Sequence, residues 1–141
     1  RSIKTVTFLS CPEELVRVRE AVREACRNCG CPEDVTRDLL IAIGEASQNI
    51  VRHAYSDSED SPATLEILCA EGILEFHLQD TAPPVSEQVL KPEWPEEMQA
   101  GGIGLCLIHD IMDEVEYLPV PDGKGNRLRM LKRFKRDNNE T

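Results

Sequence analysis

The chain has 141 residues, a length typical of one domain, and we take residues 1–141 as a single unit. Hydrophobic residues make up 40% and charged residues 30% of the sequence, and no apolar run approaches the roughly 20 residues that cross a bilayer. The net charge of −10 argues against nucleic acid as the main partner, because a phosphate backbone requires a basic surface. No signal peptide is visible, so we expect a cytoplasmic protein without a membrane partner.

The first part of the sequence predicts a strand and two helices. Residues 3–9 alternate apolar side chains with threonine, which is typical of a strand. Pro12 begins a helix that has an apolar stripe, and Gly30 ends it. Pro32 and the acidic residues after it open a second helix, which we expect to end near Tyr55.

The rest of the sequence predicts a hairpin, a long connection, a helix and two more strands. Residues 63–69 and 73–79 are spaced as a hairpin. Residues 81–99 are rich in proline and acids and have no clear period, and a connection of this length in a compact domain is usually either a functional lid or disordered. The final helix and strands are expected over residues 102–112, 114–120 and 126–134. This order predicts a two-layer α/β (α+β) sandwich, in which three helices cover one face of a mixed, mostly antiparallel sheet.

Three polar residues of the second predicted helix share one stripe. Glu45, Asn49 and His53 are spaced four residues apart, which places them on the same side of a helix beside its apolar face. An amide oxygen can ligate a hard cation such as Mg²⁺, and a carboxylate can accept a proton from an attacking hydroxyl. We assign no catalytic role to His53.

The six cysteines are densest in the segment Cys26-Arg-Asn-Cys-Gly-Cys31. A zinc site would require a second pair of ligands, and no such pair is evident in the sequence. Cys26 falls late in a helical pattern, where it can be buried. We therefore expect free, partly buried thiols in a reducing cytoplasm rather than a metal or redox site.

Four pieces of the sequence together indicate a family. They are Glu45-x-x-x-Asn49 on a helix, Asp80 after a strand, Gly101-Gly-Ile-Gly104 before a helix, and Gly123-Lys-Gly125 before the last strand. This set, in this order, resembles the GHKL (Bergerat-fold) ATPases, and in particular the bacterial anti-sigma-factor serine kinases. The likeness covers nearly the whole chain, and four motifs in order are more specific than any one of them.

The resemblance implies a site for ATP and Mg²⁺. Glu45 would be the catalytic base for a substrate serine, Asn49 would hold Mg²⁺ through the phosphates, and Asp80 would accept a hydrogen bond from adenine. Glycines before a helix let backbone N–H groups approach phosphates, which the helix dipole favours. The implied ATP-binding residues are Asn49, Asp80, Ala82, Gly101, Gly102, Gly104, Leu105 and Asn126, and the implied ATP lid covers about residues 81–101.

The chain departs from the family's pattern in three respects. Ala82 adds a methyl group where the family usually has a glycine close to the base, and Asn126 replaces the commoner threonine. Kinases of this group often carry an arginine just before the glycine cluster, where this chain has Gln99 and Ala100. The candidates to supply this missing charge are Arg52, Lys124 and Arg127.

The resemblance leaves three functions to compare. The first is an ATP- and Mg²⁺-dependent serine/threonine kinase that binds a sigma factor and phosphorylates an anti-anti-sigma antagonist in a partner-switching module. The second is a nucleotide-binding anti-sigma module without kinase activity, which Ala82 and the missing arginine favour. The third, the catalytic domain of a histidine kinase, is disfavoured because no helix with a phosphorylatable histidine precedes the first strand. The family also implies a homodimer through the N-terminal strand and first helix.

Overall fold

The computed structural model describes residues 2–57, 62–81, 102–118, 120 and 125–136. The strands are β1 (Ser2–Leu9), β2 (Pro62–Ala70), β3 (Ile73–Gln79), β4 (Glu114–Leu118) and β5 (Arg127–Arg133). The helices are α1 (Leu15–Asn28), α2 (Glu33–Asp57) and α3 (Gly102–Ile111), and a 3-10 turn at Pro12–Glu14 leads into α1. None of the helices in these ranges is both long and apolar enough to cross a membrane. Each element lies within a few residues of its predicted bounds.

The strands form one sheet in the order β1-β2-β3-β5-β4, and all four pairings are antiparallel. The two-layer sandwich is confirmed, but the described part of the sheet has no parallel pair, so the expectation of a mixed sheet is wrong in that respect. The reason is the position of β5. Strands β3 and β4 run in the same direction, yet β5 lies between them and pairs with both.

The helices cover one face of the sheet, and one apolar core fills the space between the two layers. Alternate residues of each strand face the helices, so that Phe76 of β3, which has 0% exposure, lies opposite Ile67 of β2 and Met130 of β5. Leu39 and Ile43 of α2 belong to the same cluster. The same alternation determines which residues at the strand ends face the helices.

The opposite face of the sheet carries a network of charged side chains. The Arg129 guanidinium donates hydrogen bonds to Glu75 and to Glu114, each at 3.0 Å, and Arg133 donates to Glu114 at 2.7 Å. Partial burial alone would raise the pKa of Glu75, but hydrogen bonds from His77 and Arg129 outweigh it, and the pKa is lowered. Hydrogen bonds from Arg133 and Arg129 also lower the pKa of Glu114.

We expect this network to make the free energy of unfolding depend on acid pH. Because both glutamates have a lower pKa in the folded chain, they add stability above the ordinary glutamate pKa of about 4.3 and lose it as the pH falls through their folded values. Arg129→Met should reduce the dependence of the free energy of unfolding on pH, measured by urea unfolding between about pH 6 and about pH 3. Arg23→Met, on the exposed side of α1, is the control. An equal reduction in the control would contradict the assignment.

Two of the six cysteines are bonded to each other, so the expectation of free thiols is wrong for this pair. The Cys29 and Cys69 sulfurs form a disulfide between the end of α1 and β2, with Cα atoms 6.6 Å apart. The pair is 40 residues apart in sequence, and only the packing of α1 against β2 brings the two positions together. The cysteines that remain thiols are Cys11, Cys26, Cys31 and Cys106.

Candidate functional site

Several of the predicted site residues that the structure describes lie at one end of the sheet, on the helix side. Strand β3 finishes there, because Gln79 pairs with Arg127 at the start of β5. Helix α2 also finishes there, since β2, which follows it, begins at this end. Strand β4 starts at the far end, opposite Leu131, so the N-terminus of α3, which precedes β4, points back toward Asp80. We call this the Asp80 end of the sheet.

Asp80 and Asn126 hold each other at this end. The Asn126 backbone N–H and side-chain amide both donate to Asp80 Oδ1, at 3.1 and 3.0 Å, and the Asp80 N–H donates to the Asn126 carbonyl at 2.9 Å. Both residues continue the core-facing series of Leu78 and Leu128, so their side chains lie on the helix side. Asp80 is only 6% exposed. The Asp80 carboxylate is thus held in place through Oδ1.

Gly125 lets the chain pass directly over the backbone of Asp80. Its φ of +91° lies in the left-handed region that favours glycine. A Cβ atom at this position would collide with the Asp80 carbonyl oxygen. Glycine is therefore required here for Asn126 to reach Asp80.

Gly125→Ala should disturb the fold and the site together. The added methyl group must displace backbone, and the left-handed conformation itself costs a non-glycine residue about 1–2 kcal/mol. We expect the free energy of unfolding to fall by about 2 kcal/mol or more, measured by urea unfolding, and the affinity for a fluorescent ATP analogue to fall with it.

Gly44→Ala is the matched control for this prediction. A Cβ at Gly44 meets nothing within 4 Å, and alanine inside a helix is favoured over glycine by up to about 1 kcal/mol. Gly44→Ala should therefore be neutral or stabilising. Equal losses of stability in the two variants would contradict the role given to Gly125.

Glu45 and Asn49 lie on the side of α2 that faces away from α1. Leu40, Gly44 and Gln48 of α2 line a groove against α1. At 3.6 residues per turn, Glu45 and Asn49 are rotated from that line by about 100°. Because α2 also contacts α3, we place this stripe toward α3. Both side chains are half-buried, which leaves them partly shielded from bulk water and still within reach of a ligand.

The N-terminus of α3 brings backbone donors to the Asp80 end. The helix begins at Gly102 and includes Gly104 and Leu105. The first N–H groups of a helix have no partner within it, and the helix dipole favours anions at this point. A carboxylate and a helix N-terminus therefore lie at one end of the sheet, and the polar stripe of α2 lies on the side of that helix toward α3.

Arg127 is not directed toward this site, so it does not supply the missing positive charge. Its side chain lies on the opposite face of the sheet, where Nη2 is 3.1 Å from Nδ1 of His77. The reason is strand alternation, since Arg127 precedes the core-facing Leu128. Other predicted residues lie outside the described residues or side chains: Arg52, His53, Ala82, Gln99, Ala100, Gly101 and Lys124.

The sequence identified Asp80 and Asn126 separately but did not predict that they bind each other. It also did not predict the close approach of Gly125 to Asp80. The usable signal was the strand alternation: each of the two polar residues is two positions away from a buried leucine. Side chains at such positions share a face, and neighbouring strands then bring them together.

Comparison with known protein families identifies the family that has this arrangement. Residues 8–132 match the histidine kinase-like ATPase domain, and this range contains every site residue named above. The chain belongs to the histidine kinase-like ATPase family. The family resemblance seen in the sequence is therefore confirmed.

Curated relatives within this family are serine-protein kinases. The chain is 32% identical to serine-protein kinase RsbW of Listeria monocytogenes over 113 residues, which cover 74% of this chain and 72% of that protein. It is 31% identical to serine-protein kinase RsbW of Bacillus velezensis over 129 residues, which cover 86% of this chain and 79% of that protein. The chain is thus a member of the RsbW serine-protein kinase group of the ATPase family, as the sequence predicts.

A solved structure shows the same fold. The chain superposes on a chain of the SiaB–SiaC complex from Pseudomonas aeruginosa with a TM-score of 0.72, covering 93% of this chain and 89% of that one. The two sequences are 16% identical, so the likeness concerns the fold alone. It supports the sandwich of one sheet and one helical layer.

Proposed function

We propose that this ATPase-family member is an ATP- and Mg²⁺-dependent serine kinase that works in a cytoplasmic partner-switching module. It binds a sigma factor or an equivalent target and phosphorylates an anti-anti-sigma antagonist protein. The observation that carries the proposal is the Asp80–Asn126 pair at the same end of the sheet as the α3 N-terminus, with the Glu45–Asn49 stripe of α2 on the side toward α3. The RsbW relatives, which are named serine-protein kinases, support the same reaction class.

Each residue of the site has a binding role in this proposal. Asp80 accepts the adenine amino group, held in place by Asn126, and the α3 N-terminus with Gly102 and Gly104 receives the phosphates. The Asn49 side-chain oxygen would hold Mg²⁺, which prefers oxygen ligands, and the ion would neutralise phosphate charge. The remaining ATP contacts are assigned to Ala82, Gly101 and Leu105, with the lid at about residues 81–101 of a single domain.

Glu45 is the base of the proposed transfer. Its carboxylate accepts the proton of a substrate serine hydroxyl, and the serine oxygen forms a bond to the γ-phosphorus. The bond from that phosphorus to the bridging oxygen breaks, and ADP leaves with the electron pair. The half-buried position of Glu45 suits this role, because a base must be reachable and yet partly shielded from water.

The second candidate is a nucleotide-binding regulatory module without kinase activity. Two observations favour it: Gln99 and Ala100 precede the glycine cluster, and Arg127 lies on the far face of the sheet. ATP would then order the lid and set partner affinity. Label transfer from γ-labelled ATP to the cognate antagonist separates the candidates, since the regulatory module binds ATP and transfers nothing.

Nucleotide binding itself is tested by thermal melting with MgATP, for the wild type and Asn49→Ala. Ligand at about a hundred times its dissociation constant adds roughly 2.7 kcal/mol, which is several degrees in melting temperature for a domain of this size. We expect a Mg²⁺-dependent shift that Asn49→Ala loses. No shift in the wild type would overturn both candidates.

We also propose that the kinase forms a homodimer through β1 and α1. Strand β1 is at an edge of the sheet. Leu9, at the end of β1, is 42% exposed, and Val16, in α1, is 54% exposed. An edge strand offers unpaired backbone groups to a second chain. Sedimentation equilibrium of the wild type and of Val16→Glu tests this, and a monomeric wild type at all concentrations would contradict it.

A further inference from the structure

Four cysteines lie together at the end of the sheet opposite Asp80. Cys29, at the end of α1, is bonded to Cys69 near the end of β2. The Cys31 backbone N–H donates to the Cys26 carbonyl at 3.0 Å, and the two thiols are near enough to shift each other's pKa. One disulfide and one pair of neighbouring thiols therefore occupy the same corner of the fold.

The local backbone explains why the second pair meets. Gly30 has a φ of +73°, the Cys31 N–H donates to the Cys26 carbonyl at 3.0 Å, and the Gly30 N–H donates to the Arg27 carbonyl at 3.3 Å. These two bonds with a left-handed glycine form a Schellman helix end, which turns the chain back over its last turn. Cys31 is thereby returned to Cys26, while Cys29 points toward β2.

The two thiols have different environments. Cys26 is completely buried, whereas Cys31 is partly exposed. The interaction with Cys26 lowers the pKa of Cys31, and Thr36 and Lys132 add to this against the opposing effects of burial and Asp34, whereas the interaction with Cys31 together with burial raises the pKa of Cys26. The Arg136 guanidinium also lies over Gly30, with Nε 3.1 Å from where a Cβ would be. A partly exposed thiol with a lowered pKa is typical of reactive cysteines.

We propose that this corner is a redox site, in which Cys31 reacts with small disulfides and Cys26 resolves the product, beside the Cys29–Cys69 tie. The inference does not depend on the kinase activity. The Cys29–Cys69 disulfide joins two residues that are 40 apart in sequence, and the segment between them contains all of α2. The redox site is therefore linked to the helix that carries Glu45 and Asn49.

Glutathione disulfide is the oxidant in the proposed reaction. The Cys31 thiolate attacks one sulfur of glutathione disulfide, whose S–S bond breaks and releases one glutathione thiolate, which takes a proton. Cys26 then loses its proton and attacks the Cys31 sulfur, forming the Cys26–Cys31 disulfide and releasing the second glutathione. Two protein thiols lose two electrons and two protons, and one glutathione disulfide becomes two thiols.

The test is a redox titration of the intact folded protein in glutathione buffers of stepped ratio, with alkylation and mass mapping of each pair. We expect Cys29–Cys69 to persist in more reducing buffers and Cys26–Cys31 to form as the buffer becomes more oxidising. Thiols of Cys26 and Cys31 that survive oxidised glutathione would overturn the proposal. So would a stoichiometric zinc ion in place of the Cys29–Cys69 bond.

Variants assign the order of attack. Cys26→Ala should trap one glutathione on Cys31, seen as a single mass increment, whereas Cys31→Ser should block oxidation of Cys26. Cys106→Ser, in α3, should titrate as the wild type. Trapping on Cys26 instead of Cys31 would contradict the roles, and the wild-type titration remains decisive if a variant fails to fold.

The Cys29–Cys69 disulfide is tested separately through its effect on the melting temperature. Cys69→Ser should lower the melting temperature under non-reducing conditions by roughly 10 °C, because closing a segment of this length restricts the unfolded chain. Reduction of the wild type should give a similar loss, and Cys11→Ser, at a partly exposed position, should not. An unchanged melting temperature in Cys69→Ser would show that the tie is absent in solution.

Discussion

Glu45→Gln is expected to lower the rate of phosphoryl transfer by about 10²- to 10⁴-fold while leaving the affinity for ATP nearly unchanged. Glutamine has almost the same size as glutamate, so the half-buried position on α2 is filled and the helix packing is kept. The amide cannot accept the serine proton, and the chemical step alone should suffer. Single-turnover transfer from γ-labelled ATP to the cognate antagonist measures the rate, and the MgATP-induced melting shift measures binding.

Asp38→Asn is the matched control for Glu45→Gln. It removes one negative charge from an exposed position of the same helix, seven residues earlier in the sequence. If the rate falls equally in both variants, the loss comes from the charge of α2 and not from a base. An unchanged rate in Glu45→Gln would remove Glu45 from the reaction.

Asp80→Asn is expected to weaken ATP binding by about 10- to 100-fold with little change in the stability of the unliganded protein. The asparagine oxygen can keep both hydrogen bonds from Asn126, which reach Oδ1 in the wild type. The amide nitrogen then replaces Oδ2 and presents a donor to the adenine amino group, which is also a donor. Titration of ATP by calorimetry measures the loss.

Guanine provides the discriminating measurement for Asp80. Its exocyclic oxygen is an acceptor where adenine has a donor, so Asp80→Asn should weaken ATP far more than GTP. Equal losses for the two nucleotides would indicate a general loosening of the site and would contradict the adenine assignment. Recovery of GTP binding would support it.

Most of the fold follows from local patterns in the sequence. Apolar residues alternate through residues 63–69 and 73–79, and the sheet has the same register of inward side chains. Pro12 and Gly30 bracket the first helix because each has a backbone conformation suited to a helix end. The sequence did not predict that β5 lies between β3 and β4, because pairing between distant strands depends on the whole sheet.

The candidate site was predictable as a set of residues and less so as an arrangement. Glu45 and Asn49 were linked by helical spacing alone, which is a local rule. The bond of Asp80 with Asn126 spans 46 residues, and the tie of Cys29 with Cys69 spans 40. Distant pairs of this kind depend on tertiary packing. The suggestion that Arg127 supplies the missing positive charge was wrong for a simpler reason. Side chains alternate along β5, and Arg127 therefore lies on the other face of the sheet.

The insertion of β5 also sets the order in which the protein becomes competent during translation. Asp80 is made 46 residues before Asn126, the residue that fixes its carboxylate. At bacterial and eukaryotic elongation rates of about 5–20 residues per second, that interval lasts roughly 2–9 s. A nascent chain in that interval has an edge of β3 with no strand beside it and an Asp80 carboxylate that lacks its Asn126 partner. If Asp80 binds adenine as we propose, the chain gains that function only once β5 has emerged from the ribosome.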